Sequence, residues 1–132
     1  MNDKDLHEYC IRWVEWRRSS YLHTASKPGS TPKPFYPLSK KMDARQEAAM
    51  KTFDMAVATM KNMDQYKEIA DCFWLFYVQR VVQIKLVSKK LGIARSTFYF
   101  RVRKAARIAY EINLGLTNAK KEMDADLKTS LS

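Results

Sequence analysis

Residues 86–112 read LVSKKLGIARSTFYFRVRKAARIAYEI, and the pattern of this stretch decides the fold. A short apolar and basic helix leads to Gly92, the residue type that suits a helix end with positive φ. Ile93 then closes the turn, and Ser96 or Thr97 stands near the start of a second helix. Apolar residues recur on that helix at the spacing of one helical face: Phe98, Val102, Ala105 or Ala106, and Ala109. The stretch therefore predicts two helices joined by a tight turn, the helix-turn-helix arrangement.

The positive charge of the chain is concentrated around this motif. The whole chain has 132 residues and a net charge of +10, from 24 Lys and Arg against 14 Asp and Glu. Residues 72–110 contain no acidic residue but nine basic ones: Arg80, Lys85, Lys89, Lys90, Arg95, Arg101, Arg103, Lys104 and Arg107. Surfaces that serve solubility alone usually mix both signs. A concentrated positive field favours a polyanion, because each neutralised phosphate releases condensed counterions. The segment therefore predicts binding to nucleic acid.

The outward face of the second helix carries the residue types that contact double-stranded DNA. In a helix-turn-helix the second helix enters the major groove, and its first turns meet the base edges. Arginine grips guanine with two hydrogen bonds, Ser and Thr reach phosphate or base, and lysines hold the backbone. We expect the DNA contacts to come from Lys89, Lys90, Arg95, Ser96, Thr97, Tyr99, Arg101, Arg103, Lys104 and Arg107. Of the aromatic pair Tyr99 and Phe100, we expect one to contact a thymine methyl or a sugar and the other to pack against a neighbouring helix. An ordinary helical hairpin with a basic surface is the alternative.

Residues 1–22 are predicted to form an N-terminal aromatic helix. Asn2 or Asp3 can cap it, and its apolar face consists of residues three or four apart: Leu6, Tyr9, Cys10, Trp13 and Trp16. The two tryptophans either pack this helix on the body of the protein or form a docking face for a partner.

Residues 23–41 are predicted to be a linker or an extended arm. All four prolines fall there, and the run KPGSTPKPFYP at residues 27–37 cannot continue a helix or sit inside a sheet. Phe35 and Tyr36 suggest that part of this arm docks on an apolar surface.

The body of the chain, residues 42–114, is predicted to be helical. Asp43 and Gln46 resemble a capping box, and an apolar stripe follows: Ala49, Met50, Phe53, Val57 and Met60. Asp64 opens a third helix that is apolar nearly all round, so we expect it to be the central and most buried one. Gly115 is a natural helix stop, and residues 115–132 are expected to be a tail, either disordered or a loose last helix. Since no segment shows sustained period-2 alternation, the fold class is all-α, a small helical domain with its helix-turn-helix at about residues 81–112.

The sequence lacks the residue patterns typical of zinc proteins, nucleases and membrane proteins. Cys10 and Cys72 fit no CxxC pattern, and the HxxC spacing of His7 and Cys10 lacks two further ligands for a structural zinc ion. The basic segment has no cluster of acids to hold Mg²⁺ for a nuclease. We therefore expect neither an enzyme nor a cofactor. No stretch reaches the roughly 20 apolar residues of a membrane span, and MNDKDLHEY does not read as a secretory leader.

The sequence LGIARSTFYFRVRKAAR, which begins at Leu91, resembles the LGxSRxTVxxRxxRAR pattern of region four of bacterial sigma factors. Ala94 stands where that pattern has a serine. A fuller resemblance is to the bacteriophage antitermination protein Q family. The matching elements are a WxxW element with basic residues (Trp13, Trp16, Arg17, Arg18), a proline-containing stretch, a helix with Asp54, Ala56, Val57 and Met60, an aromatic helix and the sigma-like module. They follow in the same order over residues 8–112.

This resemblance implies a concrete role. Members of the family bind a DNA element at the phage late promoter, engage bacterial RNA polymerase paused downstream and make it ignore terminators. The place of action would be the cytoplasm of the bacterial host. The expected partner-binding residues are Trp13, Trp16, Arg17, Arg18, Phe35 and Tyr36, which would contact polymerase or brace a second copy of the protein. Nascent RNA is a further expected partner of the basic surface. Some members carry a zinc-binding insertion, but this chain lacks its cysteines, so no metal is expected.

Two other functions fit the same sequence. A sigma-like DNA-binding transcription activator would use the same module at promoters without accompanying elongating polymerase. A packaging adaptor similar to a terminase small subunit would instead work by forming a ring or another higher oligomer.

Overall fold

The computed structural model describes residues 1–25 and 43–130. Its α-helices are α1 (Asp3–Ala25), α2 (Ala44–Lys61), α3 (Lys67–Tyr77), α4 (Ile84–Leu91) and α5 (Arg95–Ser130), and a 3₁₀ turn at Asp64–Tyr66 leads into α3. Over these two ranges the chain has no strand. The all-α prediction is confirmed, and α4 and α5 are the two helices predicted around the turn at Gly92.

Side chains cap the first two helices as the sequence predicts. The Asp5 N–H donates to Oδ1 of Asn2 at 2.8 Å, so Asn2 caps α1. At the start of α2, the Gln46 N–H donates to Oδ1 of Asp43 at 2.8 Å, and the Asp43 N–H donates back to Oε1 of Gln46 at 3.3 Å. These reciprocal bonds form a capping box, which satisfies two backbone donors that would otherwise lack partners at the helix start.

The core forms where α1, α2 and α3 pack around α5. Its largest wholly buried side chains come from all four of these helices: Trp13, Phe53, Phe73 and Phe98. Helix α3 is the most buried of the described helices, as expected, with eight of its eleven residues buried or half-buried. The expectation that it is also the central helix is wrong, because α5 contacts each of the other four helices. The alanines on the inner face of α5 are small enough to let its neighbours approach closely. On α3, by contrast, Trp74, Leu75 and Phe76 are only half-buried.

Trp13 ties α1 to α2 by packing and by a hydrogen bond. Its ring is wholly buried and meets the Phe53 ring edge-on, with 5.5 Å between centroids. The indole N–H donates to Oδ1 of Asp54 at 3.1 Å, and Nη1 of Arg17 lies 3.0 Å from the same oxygen. The sequence left open whether Trp13 packs or docks a partner, and its burial makes it a packing residue.

Helix α5 is longer than the sequence predicts. The expected stop at Gly115 is wrong, because α5 continues through it to Ser130 and is about 54 Å long at 1.5 Å per residue. Buried Asn113 and half-buried Leu116 hold the helix on the body on both sides of that glycine. Of the two forms expected for residues 115–132, the structure shows a helix as far as Ser130. Helix α1 also runs past its predicted end at residue 22 to Ala25, and residues 26–41 of the predicted arm lie outside the described residues.

Candidate nucleic-acid interface

The turn between α4 and α5 is fixed by backbone hydrogen bonds around Gly92. This glycine has φ 71° and ψ 30°, the left-handed conformation that side-chain-bearing residues adopt only with strain. Its N–H donates to the Lys89 carbonyl at 3.1 Å, and the Ile93 N–H donates to the Ser88 carbonyl at 3.0 Å. This pair of bonds is the Schellman motif, which satisfies the last carbonyls of a helix. The predicted turn glycine is therefore confirmed.

Helix α4 lies against α5 through one of its faces. Ser88 is buried, and Ile84 and Val87 are half-buried, so these residues face the body. Leu86 and Leu91, which the sequence placed among the apolar residues of this helix, are 47% and 45% exposed. The exposed side of α4 also carries Lys89 and Lys90, the expected phosphate contacts. Ser88 is thus on the packed side of α4, and the two lysines that follow it are on the exposed side, just before the turn into α5.

The inward face of α5 matches its prediction. All five predicted positions are buried, with exposures of 0–3%: Phe98, Val102, Ala105, Ala106 and Ala109. A helix has 3.6 residues per turn, so the positions of the buried residues determine which residues point to the opposite side. The opposite face of α5, here called the outward face, consists of Ser96, Phe100, Arg103, Lys104 and Arg107. All five of these residues are exposed.

Most of the predicted DNA-binding residues are exposed on α4 and α5. Eight of the ten are exposed: Lys89, Lys90, Arg95, Ser96, Tyr99, Arg103, Lys104 and Arg107. Thr97 and Arg101 are half-buried. Arg101 points toward α3, where its Nη2 lies 3.7 Å from Oε2 of Glu68. It therefore lies apart from the outward face, and its expected DNA contact is not supported by its position.

Arg107 reaches the outward face but already has a carboxylate partner. Its Nη2 lies 2.6 Å from Oδ1 of Asp3, which belongs to the first turn of α1. Both side chains are about half exposed or more, at 48% and 66%. Such an exposed pair contributes about 1 kcal/mol or less, so a phosphate could displace the carboxylate. The acidic start of α1 is thus placed against the basic helix.

The two adjacent aromatic residues on α5, Tyr99 and Phe100, have different surroundings. The Tyr99 ring meets the ring of Phe76 on α3 nearly edge-on, with 6.0 Å between centroids, so Tyr99 is the one that packs. Phe100 is 55% exposed and points almost directly away from the buried face. Phe100 was not among the ten residues expected to contact DNA, although one of this aromatic pair was expected to meet a thymine methyl or a sugar. Its position could have been found from sequence, since a residue two places after the core residue Phe98 lies on the opposite side of a helix.

The expected partner-binding residues do not form one surface. Trp13 is wholly buried, and Trp16 is half-buried with its indole Nε1 buried and without a hydrogen-bond partner. Arg17 binds Asp54 and lies over the ring of Trp74, 4.7 Å from its centroid. Of the four α1 residues, only Arg18 is exposed. Phe35 and Tyr36 lie outside the described residues. The basic-aromatic element of α1 therefore mainly builds the fold.

A cavity of about 200 Å³ lies between α1, α3 and the start of α5. Phe76, Tyr77 and Tyr99 line it together with His7 and Arg103. Nδ1 of His7 lies 2.7 Å from the Tyr77 hydroxyl, so the histidine is held by a hydrogen bond within the fold. This hydrogen bond joins α1 to the end of α3.

The thiols and acids are not arranged as a metal site. In the ranges 1–25 and 43–130, no group of three or more His, Cys, Asp or Glu side chains could hold an ion. Cys10 and Cys72 are both buried as free thiols. Burial raises the pKa of the Cys10 thiol to about 12, and burial also raises the pKa of Cys72. Both thiols are therefore protonated at neutral pH and poor nucleophiles. None of the described helices has the length and apolar character needed to cross a bilayer.

Comparisons with protein-family models, with curated proteins and with solved structures find no match to this chain. What the protein does must therefore be inferred from its charge, its turn and the outward face of α5.

Proposed function

We propose that this chain binds double-stranded DNA through α4 and α5 and acts as a transcription antitermination factor for phage late genes. One observation carries the proposal: the outward face of α5 is exposed and basic and follows directly after a glycine-closed turn, with Asp3 of α1 paired to Arg107 at its far end. This combination supports a helix whose first turns enter the major groove. The whole segment from 72 to 110 adds nine positive charges and no negative one, which supports a polyanionic partner.

The side chains divide into those that hold phosphate and those that read bases. Lys89 and Lys90 at the end of α4 and Lys104 on α5 would contact the DNA backbone and set the register of the protein. Arg95 and Arg103, near the start of α5, have the two-pronged geometry that pairs with O6 and N7 of guanine. Ser96 and Thr97 add shorter contacts at the groove edge. Arg107 joins the phosphate contacts when it leaves Asp3.

The step from DNA binding to antitermination rests on the order of motifs along the chain. The WxxW element, the proline-containing stretch, the two middle helices and the sigma-like module follow one another as in the phage Q family. On this proposal the protein binds near a late promoter in the cytoplasm of the bacterial host, loads onto paused RNA polymerase and prevents termination downstream. Arg18 and the arm with Phe35 and Tyr36 are the candidates for contact with polymerase or with a second copy. Nascent RNA leaving the enzyme would meet the remaining basic surface.

A sigma-like transcription activator is the second candidate. The sequence from Leu91 to Arg107 resembles sigma region four, and the structure has a helix start and a turn where that resemblance places them. An activator would bind the same kind of DNA but increase initiation rather than read-through.

A single-round transcription assay separates the two. The template carries the late promoter of the phage that encodes this chain, followed by a terminator, and the enzyme is purified bacterial RNA polymerase. We expect the wild-type chain to raise read-through only when the promoter-proximal DNA is present. The double variant Arg103→Ala, Lys104→Ala should lose this effect. The matched control Lys120→Ala, Lys121→Ala removes the same charge from an exposed part of α5 beyond the core and should retain it.

Any result other than increased read-through would contradict antitermination. More initiated transcripts with unchanged termination would support the activator. No change in either quantity would overturn both transcription functions and would direct attention to the oligomeric packaging adaptor, whose mass in solution would exceed that of a dimer.

A further inference from the structure

Phe100 is an exposed aromatic side chain at the centre of a basic face. It is 55% exposed, whereas Phe98, two residues earlier on the same helix, is wholly buried. Its neighbours one helical turn away on the outward face are Ser96 and Lys104, with Arg103 beside them. A single exposed apolar residue is ordinary on a protein surface. Its place among the residues proposed to meet DNA is what sets Phe100 apart.

Within residues 1–25 and 43–130, the Phe100 ring is not among the apolar side chains that pack on the core. Tyr99 supplies the aromatic contact that joins α5 to Phe76 on α3. For Phe100, the ring contact in the described part of the chain is with Lys104, whose Nζ lies 6.0 Å from the ring centroid. This contact is at the outer limit of a cation–π interaction and lies on the exposed side of the helix. The phenyl ring is thus presented to whatever α5 binds.

The major groove offers one apolar group at the base edges. Guanine, adenine and cytosine present hydrogen-bond donors and acceptors there, and only thymine adds a methyl group at C5. A phenyl ring that meets a polar base edge would strip it of water without replacing its hydrogen bonds. A phenyl ring that meets a thymine methyl buries apolar surface on both sides.

We propose that Phe100 is a specificity-determining residue that reads the C5 methyl of one thymine in the major groove. The proposal rests on the proposed binding of DNA by α5 and adds a preference at one base pair. Phe100 stands at the sixth position of α5, within the first two turns that reach the base edges. Lys104, one turn further along, holds phosphate next to that base pair.

The test compares thymine with uracil, which differ only by this methyl. A binding duplex is first selected from a random library with the full-length chain, and each of its thymines is then replaced singly by deoxyuridine. We expect one replacement to raise Kd about fourfold, the effect of one buried methyl group. Fluorescence anisotropy measures Kd, and the other replacements should leave it unchanged.

Variants assign the methyl preference to the ring. Phe100→Ala should bind the thymine duplex about fourfold more weakly and should no longer distinguish thymine from uracil. Phe100→Leu keeps an apolar side chain and should keep part of the preference. Lys104→Ala should weaken binding to both duplexes equally, so its ratio of Kd values stays about fourfold. Circular dichroism shows that each variant retains its helix content.

Three outcomes would overturn the proposal. Equal Kd values of the wild type for all thymine and uracil duplexes would remove any methyl contact. A preference that survives in Phe100→Ala would assign the contact to another residue. An oligomer that dissociates in Phe100→Ala, with the thymine preference unchanged, would make the ring a contact between copies. In each case the chain still binds DNA, whereas a wild-type chain that binds no duplex would overturn the proposed function as well.

Discussion

The two glycines of the described helical body should respond to alanine in opposite directions. Gly115 lies inside α5, and a Cβ added there meets no atom within 4 Å. Alanine is favoured over glycine by about 1 kcal/mol in a helix interior, so Gly115→Ala should stabilise the fold by about that amount. Gly92 also has open space around it, but its φ of 71° is left-handed. Gly92→Ala should cost about 1–2 kcal/mol from backbone strain alone.

Urea unfolding followed by circular dichroism measures both changes. Because Asn113, two residues before Gly115, is buried, the gain should appear in the global free energy of unfolding and not only in fraying of the helix end. The Gly92→Ala variant is the control for a glycine that does terminate a helix. If Gly115→Ala destabilised the protein to the same extent as Gly92→Ala, α5 would end at Gly115, and the continuous helix described above would be wrong.

Three further changes test the core, the buried thiol and the acidic start of α1. Trp13→Ala should lower the free energy of unfolding by about 3–5 kcal/mol in urea melts, since it empties a wholly buried site; Trp13→Phe should cost less and mainly lose the bond to Asp54. Because burial raises the pKa of Cys10 to about 12 while an unfolded cysteine ionises near pH 8.5, the unfolded state loses its proton first, and stability falls as pH rises above about 8.5. In Cys10→Ala, the free energy of unfolding should fall less steeply between about pH 9 and 11. Asp3→Asn frees Arg107 and removes a negative charge beside α5, so it should tighten DNA binding about threefold at low salt and less at high salt, as measured by anisotropy.

Short-range patterns in the sequence predict much of this fold. The capping box at Asp43 and Gln46 and the turn at Gly92 depend on residues within a few positions of one another, and both are confirmed. The inward face of α5 follows from the helical period alone, because Phe98 and Val102 must share a side with the alanines that follow.

The predictions that proved wrong concern features set by residues far apart in the sequence. Gly115 costs a helix only about 1 kcal/mol, and packing of the neighbouring turns outweighs that cost. The centrality of α5 could not be judged from apolar content, since its alanines contribute little to hydrophobicity and much to close packing. Arg101 and Arg107 were expected to be free for DNA, but Glu68 and Asp3 reach them from other helices, and Asp3 is 104 positions away from Arg107 in the chain.

The structure also separates the roles of the two ends of the chain. Trp13 and Arg17, taken from sequence as candidates for partner contact, are both used within the fold, through Asp54 and Trp74. The outward face of α5, by contrast, presents exposed side chains, of which Arg107 pairs with Asp3 at the start of α1. The proposed DNA contacts therefore lie on α4 and α5, and the proposed polymerase contacts that remain are Arg18, Phe35 and Tyr36.

The salt dependence of binding to duplex DNA tests the central proposal most directly. The proposal has four or five side chains neutralise phosphates: Lys89, Lys90, Lys104 and one or two arginines. The logarithm of the association constant should then fall linearly with the logarithm of the salt concentration, with a slope of about −3 to −5 between roughly 50 and 200 mM salt. Lys104→Ala should reduce that slope by about 1, and Lys120→Ala on the same helix should leave it unchanged. A slope near zero, or equal changes in the two variants, would contradict the proposal that the outward face of α5 binds DNA.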